Sequence, residues 1–577
     1  MTCQVAVSVL ILLLARETGA QEAPLLPFRE HLDSDQLVTL RWGFDEVQGN
    51  ITFELCVNTT GWIGFGLSPN GDMTGADIII GGVNSDGYYF GDYHGIGKEM
   101  PLLDQKQSYS LLSLTEADGQ TTMRVKRSIK SCDVDDHPIT ELPVKLIYAY
   151  GLTDDLGYHR KRRGTKELNL LNYMPRTVPT SSHYFDMTMS NFTVPAKDTH
   201  YECRVMNAPS FAEKHHIYRI EPLIEHVDLV HHMLLYTCPP HVNSTFQEEC
   251  YTNADHNVCY QIIAAWGVGA GDFEVPELVG FPIGGDEGDY LYRLEMHYNN
   301  PTLLAGRVDN SGLRLHYTSQ LRTHDAGVIM AGLAVTGGYG IPPNASSFHT
   351  YGMCDTSKLF ETGADLQVFA AALHTHLAGR KVRVGHYRDG KQLGFMALEE
   401  HYNFEFQQVK NLGKTKTVEM GDTLLVECTY DTSNRTGFSW TGFSTQNEMC
   451  LAFIFYYPAS NISNCLSFPQ LEALPSVLGA SDMNEAYQML TQKTWDEETI
   501  MEYEKTLKDL PQYFMIADKE ENVWRNMGNI TDMMASPTPD CWRSPPPGSG
   551  APNQSNMVQV CWPLLPLVLA LIYALLC

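Results

Sequence analysis

Between residues 36 and 151 the chain runs through short apolar or alternating stretches, LVTLRWGF, NITFELCV, GWIGFGLS, ADIIIGGV and VKLIYAYG, separated by Gly, Asn and Asp. Period-two alternation broken by turn residues is a strand signal, and several such runs in succession predict a β-sandwich. Residues 152–198 are polar and carry the basic run HRKRRGTK, which reads as an interdomain linker, with Arg160 to Arg163 also suited to a secretory processing protease. Residues 199–325 and 332–480 return to strand patterns, among them HMLLYTC, YLYRLEMHY and LQVFAAAL. In the second of these regions VRVGHYRDGKQLGFMAL predicts a hairpin turning at Asp389-Gly390. The period changes after residue 481: MNEAYQML and DEETIMEYEKTLKDL have helical spacing, with acidic residues leading and Lys late, so 481–535 is expected to be a short helical segment. Residues 536–556, rich in Pro, Ser and Gly, read as a flexible stalk.

The two ends and the surface place the chain in the secretory pathway. Residues 1–20 hold an apolar run from Val5 to Leu14 and end in Gly19-Ala20, the pattern of a signal peptide. Residues 557–577 form a hydrophobic tail without a basic stop-transfer residue. It fits either a glycolipid-anchor signal or a single membrane helix, with the globular part facing outward in both cases. Asn50, Asn58, Asn191, Asn243, Asn344, Asn434, Asn461, Asn529 and Asn553 each begin an N-x-[ST] glycosylation sequon. Of 14 cysteines, Cys3 leaves with the signal and Cys561 and Cys577 lie in the tail, so an odd number remains for the folded part. Most should pair in an oxidising compartment, and Cys56, inside ITFELCV, is the expected free thiol. A net charge of −28 argues against nucleic acid as a partner.

Candidate chemistry lies in four short runs: HHMLLYTC at His231-His232, LEMHYNN at His297, HTH at His374 and His376, and NEMC at Met449. On a strand, the i and i+2 imidazoles of HTH point to one face and can chelate one ion. Adjacent residues such as His231 and His232 should point to opposite faces. His215-His216 lacks an obvious third partner and reads as structural. Imidazoles with a thioether favour copper over magnesium or calcium, and zinc seldom recruits methionine.

Taken in order, HHMLLYTC, LEMHYNNP, LHTHLAGRKV and EMC followed by FYYP resemble the copper type II, ascorbate-dependent monooxygenases. The resemblance covers roughly residues 36–470, nearer the dopamine β-hydroxylase branch than the peptide-amidating one. It implies a mainly β chain: a DOMON β-sandwich (36–151), two jelly-roll-like β-sandwich copper domains (199–325 and 332–480) and a short helical C-terminal segment. It further implies that His231, His232 and His297 hold an electron-supplying copper, and that His374, His376 and Met449 hold an oxygen-binding copper. In the family these ions lie far apart across an open, solvent-filled cleft. Ascorbate and O2 would be co-substrates for hydroxylation of an sp3 C–H bond in a small molecule, with Tyr201 and His374 in catalytic roles. The disulfides implied are Cys203–Cys250, Cys238–Cys259, Cys354–Cys465, Cys428–Cys450 and Cys132–Cys541. The amine-hydroxylating relatives carry a glutamate next to the position of Met330, where this chain has Ala331, so a cationic amine is a poorer expectation as substrate. The alternative is a copper-binding cell-surface ectodomain with weakened catalysis. Self-association is left open.

Overall fold

The structure is a computed structural model that describes residues 25–175, 179–239, 241–252, 259, 261–285, 291–336, 338–360, 363–518 and 522–536. The signal peptide, most of the stalk, the hydrophobic tail, Cys541 and Asn553 lie outside them. Strands take 50% of the chain and helices 7%, so the mainly β architecture holds.

The first sandwich packs a five-stranded sheet (Phe28–His31, Val38–Asp45, Asn50–Val57, Gln120–Ser128, Ser110–Ala117) on a six-stranded one. Alternation makes its core: Leu40, Trp42, Phe53, Leu55, Phe65 and Leu67 all turn inward from neighbouring strands. The expected linker is largely built into the sheets. Arg163–Leu168 pairs antiparallel with Val144–Tyr150, and His183–Thr188 pairs with Gly312–Thr318 in the next sandwich. Charged text misled here because an edge strand tolerates polar side chains on both faces.

The second sandwich sets the sheet Phe246–Glu249, Thr199–Asn207, Leu291–Asn299, Val230–Thr237, Gln261–Gly267 against one that includes His215–Leu223 and Gly312–Thr318. His216 is structural there: its Nε2 lies 2.9 Å from Asp325 Oδ1, and its Nδ1 accepts from the Arg322 amide. The third sandwich opposes a seven-stranded sheet to the four strands Phe348–Asp355, Thr423–Tyr430, Gly379–Arg388 and Lys391–Glu399. Asp389 (φ 51°) and Gly390 (φ 74°) make the expected hairpin turn, both in the left-handed region that a type I′ turn needs.

Helices Met483–Gln492 and Glu497–Asp509 form where helical spacing placed them, each N-capped by an aspartate, Asp482 and Asp496. The 481–535 segment is not helical throughout, however. Gln512–Asp518 and Val523–Gly528 continue the seven-stranded sheet beside Ile462–Pro469.

Four disulfides staple the second and third sandwiches: Cys203–Cys250, Cys238–Cys259, Cys354–Cys465 and Cys428–Cys450. Cys354–Cys465 joins the two sheets of the third sandwich across a separation of 111 residues. On the chain-entropy argument such a link contributes roughly 4–5 kcal/mol. The fifth expected pairing falls on Cys541, outside the described residues. Cys56 is free.

Candidate metal centre

Three imidazoles converge on the inner face of the second sandwich. His232 sits directly across from His297 in the ladder between Val230–Thr237 and Leu291–Asn299. His231 should point the other way, but the register slips between Val230 and His232. The bulge inserts one residue and re-aims His231, a known use of such irregularities. As a result His231 Nδ1 lies 3.3 Å, and His297 Nδ1 3.2 Å, from His232 Nδ1. The remaining nitrogen of His231 is oriented by the Phe404 carbonyl at 3.0 Å. A backbone acceptor on the outer ring nitrogen is how metal-ligating histidines are usually held.

His374 ends the strand Leu366–His374, and His376 follows in the turn. Their outer nitrogens are also occupied: His374 Nδ1 lies 2.8 Å from Gln407 Oε1, and His376 Nδ1 3.2 Å from the Asn447 carbonyl. His376 Nε2 is buried without a partner. An orphaned imidazole nitrogen costs free energy unless something binds it, which fits a metal. Met449 is buried on the wall of the cavity that His374 also lines. The Cys428–Cys450 bond lies immediately after it, and Glu448 immediately before.

Glu448 has no counterpart in the sequence reading. Fully buried, its carboxylate accepts from Thr375 Oγ1 (2.9 Å), the His376 amide (2.9 Å) and the Ala378 amide (2.6 Å). It thereby ties the run carrying Met449 to the turn carrying His376. Burial raises its pKa to about 7 despite these donors.

Burial, reinforced by neighbouring imidazoles, pulls His231 down to about 3 and puts His232, His297 and His376 well below the ordinary range. Burial brings His374 down to about 4. All five rings are therefore neutral near pH 7, with lone pairs available to a soft metal.

The expected wide cleft between the two sets is not what the structure shows. The His232 and His374 ring centroids are 5.2 Å apart. The loop of residues 400–408 bridges the sets, because Phe404 meets His231 and Gln407 meets His374. Tyr201 belongs to the first set: its ring stacks on His297 at 4.4 Å and 4°, and burial pushes its phenol pKa well above the ordinary range.

A cavity of about 480 Å³ opens beside these histidines, between the inner faces of the two sandwiches. Its walls are mainly apolar, with Met330, Ala372, Met449, Phe453 and Leu466 on the side of the third sandwich. Met330 lines it, whereas Ala331 points into the core of the third sandwich. Strand alternation thus sends Met330 to the cavity wall and turns Ala331, the position where a glutamate was expected to matter, away from it. One carboxylate, Glu295, does line the cavity, two residues before His297 and on the same face. It is already engaged: Tyr251 donates to it at 2.7 Å, and the Arg293 guanidinium lies 3.6 Å away.

Fold and site together define a class: twin disulfide-stapled β-sandwiches that gather imidazole and thioether donors beside a shared apolar cavity, preceded by the N-terminal sandwich. Family models match accordingly: the copper type II ascorbate-dependent monooxygenase N-terminal domain over residues 185–305, its C-terminal domain over 324–476, and the DOMON domain over 34–151. The chain is 37% identical over 552 residues to DBH-like monooxygenase protein 2 of Mus musculus, covering 93% of this chain and 89% of that protein. It is 38% identical to DBH-like monooxygenase protein 1 of Homo sapiens (81% and 78% covered) and 32% identical to dopamine beta-hydroxylase of Homo sapiens (80% and 78% covered). The chain belongs to the copper type II, ascorbate-dependent monooxygenase family. Membership brings copper as the metal and ascorbate as the electron donor.

Proposed function

We propose that this chain hydroxylates an sp3 C–H bond of a small, largely apolar substrate, using O2 and ascorbate. In this reading His231, His232 and His297 hold one copper through their Nδ1 atoms, and His374, His376 and Met449 hold the second. The observation that carries it is the convergence of the His231 and His297 Nδ1 atoms to within 3.3 Å of His232 Nδ1, together with a buried, unpartnered His376 Nε2. Copper bound there would supply one-electron steps and O2 reduction, and the thioether would favour the reduced ion.

The remaining work falls to the chain. Phe404, Gln407 and Asn447 hold the outer imidazole nitrogens, which fixes the tautomers and aims the lone pairs inward. The apolar cavity walls exclude water from the reacting carbon. Met330 presents a thioether to the cavity, Ala331 is turned away from it, and Glu295 is compensated by Arg293. These features support a substrate that is not a simple cationic amine.

A secreted or lumenal location is part of the proposal. It is supported by the four disulfides and by the sequons within the described residues, all on exposed or half-exposed asparagines. Among the described residues no helix is long and apolar enough to cross a membrane, so attachment would rest on the tail. The deciding measurement is ascorbate-dependent oxygen uptake by the copper-loaded ectodomain with a panel of amines and acylglycines. Product formed in step with uptake supports the proposal. Uptake without product in every case overturns hydroxylation, and brisk phenethylamine turnover overturns the substrate preference.

A further inference from the structure

The loop of residues 400–408 joins Lys391–Glu399 to Val409–Val418 and is unusual in lying under another domain, where connecting segments normally run over the surface. Inward, it touches His231, His374 and the Thr375 that separates the two HTH imidazoles. Tyr402 Oη donates to the Thr375 carbonyl at 2.6 Å and accepts from the Thr375 amide at 3.1 Å, gripping the middle of HTH. Phe404 stacks on His231 with centroids 3.9 Å apart, and its carbonyl accepts from both His231 Nε2 and Gln407 Nε2. Gln407 Oε1 meets His374 Nδ1, while the Gln407 amide donates to the Val268 carbonyl of the second sandwich at 3.0 Å.

Outward, the same loop and its flanks are gripped by the N-terminal sandwich. Asn403 Nδ2 donates to the Asn70 carbonyl at 3.4 Å, and the Phe406 ring is wedged between Gly71 of the N-terminal sandwich and Gly269 of the second. Lys145 Nζ lies 5.7 Å above the Phe406 ring and 2.6 Å from Glu399. Lys410 lies 2.8 Å from Glu399 and 2.6 Å from Glu167, completing a buried chain of alternating charge. Removing one member of such a buried chain is costly, because it leaves a neighbouring charge less compensated in the interior.

We propose that the N-terminal sandwich is a clamp: by pressing residues 400–408 inward it holds the two histidine sets in contact. Phe404 and Gln407 are then positioning residues, each coupling one set to the same loop. When the clamp is released, the second and third sandwiches are free to separate at the His232–His374 contact. The clamp itself rests on contacts within the chain; only its copper readout rests on the ligand assignment above.

The test uses the whole ectodomain with Lys145→Met and, separately, Phe406→Ala, and Arg41→Ala on the far sheet as control. In the metal-free protein, hydrogen exchange at the Gln407 amide should lose protection in both variants, while the ladder amides of Leu366–His374 stay protected and show that the fold is intact. With Cu(II) bound at unchanged stoichiometry, electron paramagnetic resonance should detect dipolar coupling between the ions in the parent and none in the variants. Loss in Lys145→Met with an intact ladder supports the clamp; loss in Phe406→Ala alone places the hold on the second sandwich, through Gly269, and overturns it. A Gln407 amide that stays protected in both variants overturns it, whatever the copper result. A parent chain that binds no copper overturns the ligand assignment and leaves the exchange arm to decide the clamp.

Discussion

His232 and His374 lie on different sandwiches, 142 positions apart in sequence, yet their rings meet edge to face at 81° with centroids 5.2 Å apart. The two imidazole sets therefore form one neighbourhood in this conformation. Polar groups orient His231, His374 and His376 from outside the cluster, whereas His297 Nε2 and His376 Nε2 are buried without a partner, donors that a soft cation could satisfy.

Met449→Ala should abolish ascorbate-driven turnover and reduce copper to one ion per chain, with the His231, His232 and His297 set still loaded. Removing a buried methionine also costs about 2–4 kcal/mol of stability, so thermal unfolding should be followed alongside copper content. Full activity in the variant would rule out the thioether as a ligand.

Glu448→Gln tests the anchor behind Met449. The amide nitrogen of glutamine would face donors already aimed at the carboxylate, from Thr375, His376 or Ala378. A loss of about 1–3 kcal/mol follows from leaving one such group unsatisfied. Copper should be lost selectively from the second set, measured as metal content against thermal shift. Equal loss from both sets would show that Glu448 supports the fold generally.

Gly267→Ala should act on the bridging loop. A Cβ there would lie 2.5 Å from the Gln407 carbonyl oxygen and 2.7 Å from its Cβ, a backbone clash that the loop can relieve only by moving. Gln407 would then release His374. The expected outcome is weakened copper binding at the second set with a small change in thermal stability; isotherms for copper binding would show it.

The charge chain beneath the loop predicts an acid limit. Burial alone would raise the Glu399 carboxyl, but the Lys410 and Lys145 ammonium groups overcome it and hold the pKa at about 2, against an ordinary 4.5. With the folded value depressed, the stabilisation is fully present above pH 4.5 and is lost as pH falls from there toward 2. Parent stability should decline in that window, and Glu399→Gln should flatten the decline. Chemical denaturation at a series of pH values measures both.

Much of the fold was legible in the chain because strand alternation is local. Trp42, Phe53 and Phe65 announce a sandwich core, and Asp389-Gly390 a hairpin, by their own neighbours alone. Edge strands were harder, since Arg163–Leu168 and Val523–Gly528 carry charge or exposed side chains where a buried strand would be apolar. The candidate ligand residues were visible as types and order. Glu448, Phe404 and Gln407 were not, because a single glutamate or glutamine has no periodic signature and acquires its role only from what it is folded against.

By itself the sequence determined the donor chemistry, five imidazoles and a thioether, the sandwich-forming pattern, and the cysteines that staple it. The tertiary structure decided how those donors meet. A one-residue bulge turned His231 toward His232, a buried loop from the third sandwich joined the two sets, and strand alternation chose Met330 over Ala331 for the cavity wall. The reason is physical: side-chain identity and period are carried by neighbours along the chain, whereas register, bulges and domain contacts follow from long-range packing that no local window contains.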